Sequence, residues 1–251
     1  MARPLTARLG DAAERAVEAA RATVLPIHSL QIDVLKLIAC ICMLIDHINT
    51  CLYDRASVWA WLIGRLAFPL FGLTFVLTLT QTNALRTAKR TAAAGVLVQP
   101  IYAIAFADAG FSPWWAGNIL ISFAVVAYLV EQVKSPTPKG IAQAFALIAL
   151  ASIVQAPSSF GLAGIAFMLA LWVMLQGVVP WIAAAVAAVA FLNVNPGAPA
   201  LSVSTAVALV LILGASGALR AWRPRRWLHP RATLWFYAGH LALMATLAGV
   251  F

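Results

Sequence analysis

Long apolar runs, separated by short stretches that hold charged residues, proline or glycine, follow one another along almost the whole chain. An α-helix needs about 20 predominantly apolar residues to cross the hydrocarbon core of a bilayer, and several of the runs approach this length. The pattern predicts an all-α, polytopic integral membrane protein with about nine transmembrane helices. The predicted spans are residues 30–52, 59–80, 91–107, 114–130, 141–156, 160–176, 180–193, 200–218 and 232–251.

The composition is that of a membrane protein rather than a soluble one. Of the 251 residues, 63% are hydrophobic and only 10% are charged, and the mean hydropathy is +0.91. A soluble domain could not bury that much apolar surface. Residues 1–29 differ, because charged residues are mixed there with alanine and no continuous apolar stretch occurs. We therefore expect a cytoplasmic, interfacial tail over residues 1–29 and a multi-spanning membrane domain over residues 30–251.

The positions of the basic residues predict the orientation. Loops rich in Lys and Arg stay on the cytoplasmic side, and a cytoplasmic N-terminus places fourteen of the seventeen basic residues on that side of an inner membrane. The net charge of +9 would fit a nucleic-acid-binding protein if the basic residues formed one face. Because they instead lie between apolar runs, we expect the lipid bilayer, and not nucleic acid, as a partner.

Few ionisable residues lie inside the predicted spans. A charge at the bilayer centre costs about 2.5 to 3.5 kcal/mol, so each such residue requires a partner, a water-filled cavity or a function. Asp46 and Arg65 are about equally far from the turn between the first two spans, and in an antiparallel hairpin they therefore share one depth. We expect an intramembrane ion pair. The pair either fixes only the register of the hairpin, or it positions Arg65 to polarise a carbonyl or hold a phosphate.

The first span also carries a polar stripe. Lys36, Cys40, Met43 and His47 return to nearly the same helix face at 100° per residue, and we expect this face to point inward. His47 and His240 are the intramembrane groups expected to exchange protons near neutral pH, although a histidine in a helix is often only a hydrogen-bonded core residue. The cysteines of the first span lack a metal-ligand spacing, so no metal site is predicted.

Several strings carry a family resemblance. The run LKLIACICMLIDHI, followed after a short loop by GRLAFPLF, resembles in order and spacing the TraX family of conjugative plasmid membrane proteins, which includes TrbP-like conjugal transfer proteins. The strings VQPIYAIAFADAGF, NILISFAV and WFYAGHLALM resemble further segments of that family. The resemblance covers about residues 33–130 and 232–245, whereas residues 140–219 match only in being hydrophobic.

The resemblance implies a membrane N-acetyltransferase, since the family is known for the pilin acetylase, which transfers an acetyl group from acetyl-CoA to the N-terminal amine of a conjugative pilin. Its implied partners are a pilin subunit and other membrane proteins of the conjugation apparatus. An ammonium group must lose a proton before it attacks a thioester, and imidazole is a suitable base near neutral pH. The implied catalytic residues are His47, Asp46, Arg65 and His240, the implied substrate-binding residues are Lys36, Asn118 and Tyr237, and the residues implied to bind the CoA phosphates are Arg86, Lys89, Arg90, Arg223, Arg225 and Arg226.

Other readings of the same features remain open. The positive-inside rule explains the basic clusters without any ligand. A non-enzymatic pilus-assembly factor would use the uncharged spans of residues 141–218, whose Gly and Ala surfaces suit helix packing. A proton-coupled transporter is a third hypothesis, because intramembrane Asp, His and Arg also line ion pathways, but no inverted repeat is visible in the sequence.

Overall fold

The structure, a computed structural model, consists of α-helices joined by short turns. It describes residues 29–107, 114–155, 160–177, 179–194, 199–217, 227–229 and 231–248, and no β-strand occurs in these ranges. The all-α prediction is confirmed. The predicted interfacial tail lies outside the described residues except for its last position.

Each of the nine predicted segments contains a helix, and the second segment is divided into two by a turn at Arg65 and Leu66. The boundaries differ mostly where an asparagine caps a helix, as at α4, which begins seven residues earlier than predicted because Asn83 accepts the N–H of Arg86 at 2.8 Å. The helices are α1 Ser29–Cys51, α2 Val58–Gly64, α3 Ala67–Gln81, α4 Ala84–Ala105, α5 Ile119–Lys134, α6 Pro138–Val154, α7 Gly161–Gln176, α8 Pro180–Asn193, α9 Pro199–Ser216 and α10 Ala232–Ala248.

The apolar helices indicate a membrane protein. In the described part of the chain, one helical stretch, Val58–Gln81, is long and apolar enough to cross a bilayer, and α6 to α10 are shorter apolar helices. Large hydrophobic side chains also lie on the outside, among them Leu97, Phe145 and Leu211, which are 76%, 70% and 66% exposed. Extended apolar surfaces of this kind mark contact with lipid or with another protein. The number of nine crossings stays a prediction.

The helices pack in neighbouring pairs around a common core. Helix α4 lies along α5, α7 along α8, and α1 against α3, while α10 packs against both α4 and α1. Leu35, Phe68, Met168 and Leu241 are almost completely buried where these helices meet. The last helix therefore returns to the first one, and it brings the C-terminal part of the chain beside the hairpin formed by α1, α2 and α3.

Asn49 holds the turn between α1 and α2. Its amide nitrogen donates to the carbonyl oxygen of Ser57 and its amide oxygen accepts the N–H of Ser57, both at 3.0 Å. Its own carbonyl oxygen accepts the N–H of Arg55 at 2.8 Å. Asn49 is buried, and the turn beside it includes Asp54 and Arg55 with positive φ angles of 45° and 61°. This double hydrogen bond fixes how α2 leaves α1, and hence which residues face each other across the hairpin.

Candidate active site

Asp46 on α1 and Arg65 at the end of α2 form the ion pair that their equal distance from the turn predicts. The Nη2 atom of Arg65 lies 3.1 Å from both carboxylate oxygens of Asp46, and the two side chains are only 9% and 15% exposed. The guanidinium also lies over the rings of Trp61 and Phe160, at 5.4 and 5.5 Å from their centroids. Aromatic faces on a cation hold it in place while allowing it to remain charged.

Gly64 is required for this pair. A Cβ atom at Gly64 would overlap the side chain of Asp46, so only glycine allows the end of α2 to approach α1 this closely. Arg65 follows directly in sequence, and the close approach carries its backbone to the carboxylate. The Nε–H of Arg65 is buried and finds no hydrogen-bond acceptor among the described residues. One donor of the guanidinium is therefore left over after Asp46 has been satisfied.

His47 and His240 contact each other directly across α1 and α10. The Nδ1 atom of His47 lies 2.7 Å from Nε2 of His240, and the rings are inclined by only 24°. His240 Nδ1 lies 2.8 Å from the carbonyl oxygen of Phe236. Because a carbonyl only accepts, His240 carries its proton on Nδ1, and its Nε2 then accepts the Nδ1–H of His47. This network leaves the lone pair of His47 on Nε2.

A cavity of about 270 Å³ brings these groups together. Asp46, His47 and Arg65 all line it, whereas His240 lies behind His47 and does not. The cavity thus presents one imidazole, one ion pair and several hydroxyl groups in an enclosure that includes seven Phe, Tyr and Trp residues, and we call it the His47 cavity. The remaining lining residues are Met43, Thr50, Arg55, Trp61, Gly64, Ala67, Phe68, Phe71, Tyr102, Phe106, Gly117, Ile119, Ser122, Gln155, Phe160, Val194 and Tyr237.

Comparison with known proteins decides the family. The model of the TraX protein family matches residues 31–248, which include every residue that lines the His47 cavity. The chain belongs to the TraX family. Among its relatives is a Protein TraX of Escherichia coli, 32% identical over 226 residues, which are 87% of this chain and 87% of that protein. Protein TraX of Escherichia coli strain K12 is 35% identical over 135 residues, 54% of this chain and 52% of that protein. No solved structure matches.

Two of the three substrate-binding residues predicted from the TraX resemblance lie at cavities. Tyr237 is buried and lines the His47 cavity, with its ring centroid 5.7 Å from that of His240. Lys36 lines a second cavity, nearer the start of α1. The inward orientation predicted for the stripe on α1 is confirmed at Cys40 and Met43, which are both buried.

Asn118 serves as a structural anchor. Its amide nitrogen donates to Gly95 O and to Gln99 Oε1, both at 2.8 Å, and its amide oxygen accepts the N–H of Leu120 at 3.0 Å, which caps α5. The side chain is completely buried and does not line the His47 cavity. Its hydrogen-bonding groups are thus already engaged, and the structure gives no support to a contact between Asn118 and a substrate.

The predicted CoA-binding cluster divides along α4. Arg86 and Lys89 are exposed and line neither cavity, whereas Arg90, also exposed, lines the second one. The remaining members of the prediction, Arg223, Arg225 and Arg226, lie outside the described residues. Within the ranges that are described, no cluster of three or more His, Cys, Asp or Glu side chains is placed to hold a metal ion.

Some polar residues of the site escape sequence reasoning. Ser122 and Gln155 line the His47 cavity and are buried, Gln155 completely. Both lie in apolar segments and carry no charge, so the search for intramembrane ionisable groups passes over them. The sequence does offer one indication of Gln155: it is a long amide side chain in a stretch without any charged residue, shortly before Pro157.

Proposed function

We propose that this TraX family member is a membrane-embedded N-acetyltransferase of plasmid conjugation that acetylates the N-terminal amine of a pilin subunit, with acetyl-CoA as the donor. One observation carries the proposal: His47 lines a cavity with a lone pair on Nε2, while its other ring nitrogen is held by His240. Amide formation from a thioester needs a base that takes the proton of the amine and a donor that stabilises the oxyanion. His47 and the Nε–H of Arg65 are suited to these two roles.

The reaction begins with the amine nitrogen attacking the carbonyl carbon of the thioester. The C–N bond forms, the nitrogen loses its proton to His47 Nε2, and the carbonyl oxygen becomes an oxyanion. The Nε–H of Arg65, buried and without an acceptor among the described side chains, is the donor that this oxyanion would accept from. The intermediate collapses with cleavage of the C–S bond, and the thiolate takes the proton from the imidazolium, giving the amide and the free thiol.

Asp46 and His240 act as positioning residues in this scheme. The carboxylate of Asp46 holds Arg65 through Nη2 and leaves Nε–H for the oxyanion. His240 keeps the proton of His47 on Nδ1, so that the cavity receives the basic nitrogen and not an N–H group. The two groups that touch the reacting atoms are therefore His47 and Arg65.

Family membership supports the choice of donor and acceptor, and the apolar helices and the basic residues support the location and orientation in the membrane. The TraX resemblance supports the pilin amine and acetyl-CoA, and the apolar helices support an inner-membrane location with the N-terminus in the cytoplasm. In this orientation the His47 cavity lies toward the outer end of α1, because Arg55 of the α1–α2 turn lines it.

The intact mass of the cognate pilin tests the proposal. Pilin from cells with the wild-type protein should be heavier by about 42 Da, the mass that an acetyl group adds, than pilin from cells with a deletion or with His47→Ala. Lys139→Gln, at an exposed position that lines neither cavity, is the matched control and should leave the acetylated mass in place. An unshifted pilin mass in the presence of the wild-type protein would reject the enzyme.

A non-enzymatic assembly factor is the second candidate. A third cavity, of about 470 Å³, lies on α7 and α8 and is lined almost entirely by small and branched apolar residues such as Ala163, Ala166 and Val189. Small residues allow another helix to approach closely within a membrane. Loss of pili together with an unchanged pilin mass would favour this function.

A further inference from the structure

A second cavity, which we call the basic cavity, lies at the other end of α1. It measures about 260 Å³ and contains three cationic side chains from separate parts of the chain: Lys36 on α1, Arg90 on α4 and Arg231 directly before α10. Among the described residues, neither Arg90 nor Arg231 has a carboxylate within ion-pair distance. Three converging cations are an electrostatic site for a ligand that carries several negative charges.

The basic cavity is not uniformly polar. Hydroxyl groups of Thr74, Thr78 and Thr91 line it, and Phe75 and Phe123 add apolar walls. The two phenylalanine rings stack with a centroid distance of 4.7 Å, which gives a continuous aromatic surface. A suitable ligand therefore has a phosphorylated end and a long, mostly uncharged arm.

Only one layer of side chains separates the basic cavity from the His47 cavity. Met43, Phe71, Ile119 and Tyr237 line both cavities and come from α1, α3, α5 and α10; we call them the partition. Along α1, Lys36 lies about 10 Å before Met43 and His47 about 6 Å beyond it, at 1.5 Å per residue. A cationic entrance, a thin partition and an imidazole thus follow one another in this order.

We propose that the basic cavity binds the acyl donor, a phosphate-bearing thioester of the CoA type, and that the partition is the gate through which its acyl end reaches His47. Lys36, Arg90 and Arg231 hold the phosphates, and the uncharged arm extends along the wall formed by Phe75 and Phe123 toward Met43. This inference rests on the proposed function and adds to it the location of the donor and its direction of approach.

The two substrates then enter from opposite ends of the bundle. The donor enters beside Arg90 and Arg231, which the positive-inside rule places in the cytoplasm, where CoA is found. The amine enters the His47 cavity from the end marked by Arg55. The partition keeps the thioester away from external water until the amine is in place, because hydrolysis would otherwise consume the donor.

Binding of CoA to the purified full-length protein in nanodiscs of neutral lipid tests the donor cavity. Lys36→Gln, Arg90→Gln and Arg231→Gln should each weaken binding about two- to fivefold, the usual range for a partly exposed ion pair. Lys139→Gln, at an exposed position on α6 outside the cavity, is the matched control. His47→Ala should bind CoA with the wild-type affinity.

The outcomes of this measurement separate the two proposals. Wild-type affinity in all three cation variants would overturn the donor cavity and leave the acetyltransferase proposal standing. Weakened CoA binding in these variants, together with no acetylation of pilin by the wild-type protein, would support the donor cavity and reject the acetyltransferase. Displacement of CoA when anionic lipid is added to the nanodiscs would assign the cations to lipid headgroups and also overturn the inference.

The partition is tested by filling it. Ile119→Phe places a larger side chain between the cavities, so CoA binding should persist while acetyl transfer falls at least tenfold. Leu97→Phe, the same kind of enlargement at an exposed position that lines neither cavity, should retain both. Tyr237→Trp should likewise retain CoA binding and lose acetyl transfer, and it is the substitute variant if Ile119→Phe does not fold. Undiminished acetylation by a variant that binds CoA and has a filled partition would overturn the gate.

Discussion

His47 Nδ1 lies 2.7 Å from His240 Nε2, although the two residues are 193 positions apart in the chain. The carbonyl oxygen of Phe236 accepts the Nδ1–H of His240 and extends the pair into a chain of three hydrogen-bonding groups. In an apolar enclosure such a chain polarises along its length and resists reorientation. The two histidines therefore differ in position: His47 lines the cavity, whereas His240 lies behind it.

Because only His47 lines the cavity, we expect substitution of His47 to lower kcat more than substitution of His240. His47→Ala removes the base and should lower kcat for acetyl transfer by about 10² to 10⁴-fold, the usual contribution of a general base. His240→Ala removes only the group that orients it and should cost about 10- to 100-fold, by analogy with the orienting partners of metal-bound histidines. The measurement is steady-state acetylation of a peptide with the pilin N-terminus by protein in nanodiscs.

His240→Gln is the control for this assignment. A glutamine amide oxygen can accept the Nδ1–H of His47, so this variant should recover part of kcat relative to His240→Ala, with little change in KM. Equal losses in His47→Ala and His240→Ala, without recovery by glutamine, would contradict a positioning role and show that His240 takes part in the reaction directly.

The sequence predicts local relationships in this molecule better than distant ones. The pair of Asp46 and Arg65 follows from counting residues on either side of one turn, because a hairpin couples sequence distance to depth. The contact between His47 and His240 depends on how α10 is rotated against α1, which packing of several helices determines and no local pattern records. The apolar run does not predict the early start of α4, because the cap at Asn83 precedes that run.

The ion pair of Asp46 and Arg65 predicts strong coupling in a double-mutant cycle. Asp46→Leu or Arg65→Met alone leaves one buried charge without its partner and should destabilise the protein by on the order of 3 kcal/mol, whereas the double variant should recover much of this loss. Apparent melting temperatures in detergent measure the effect.

Acetylation by the same double variant distinguishes the two roles of the pair. If Arg65 supplies the oxyanion donor, the folded double variant should be inactive, with kcat reduced at least 10²-fold as for loss of one such donor. Wild-type kcat in the double variant would show that the pair only fixes the register of the hairpin.

The close packing at Gly64 predicts that alanine is tolerated at Gly239 but not at Gly64. Gly64→Ala would place a Cβ into the side chain of Asp46, so we expect a lower melting temperature and loss of acetylation. Gly239→Ala is the matched control, because nothing lies within 4 Å of a Cβ there, and alanine favours a helix over glycine by up to about 1 kcal/mol. A Gly64→Ala variant as stable and active as Gly239→Ala would show that the close approach of α2 to α1 is not required.

Asn118 predicts a loss of stability without a loss of catalysis. Asn118→Ala removes the hydrogen bonds to Gly95, Gln99 and the N–H of Leu120 and should destabilise the protein by about 1 to 3 kcal/mol, since the partner groups are left buried.

Asn193→Ala is the control for this substitution, because Asn193 is exposed and its one described side-chain hydrogen bond reaches Val189 O within its own helix. At temperatures where both variants are folded, their kcat values should equal that of the wild type. A reduction of kcat by 10²-fold or more at an unchanged melting temperature, the size expected for removal of an oxyanion donor, would instead support the substrate contact that the TraX resemblance implies for Asn118. The two measurements together thus decide whether this asparagine anchors α5 or touches the substrate.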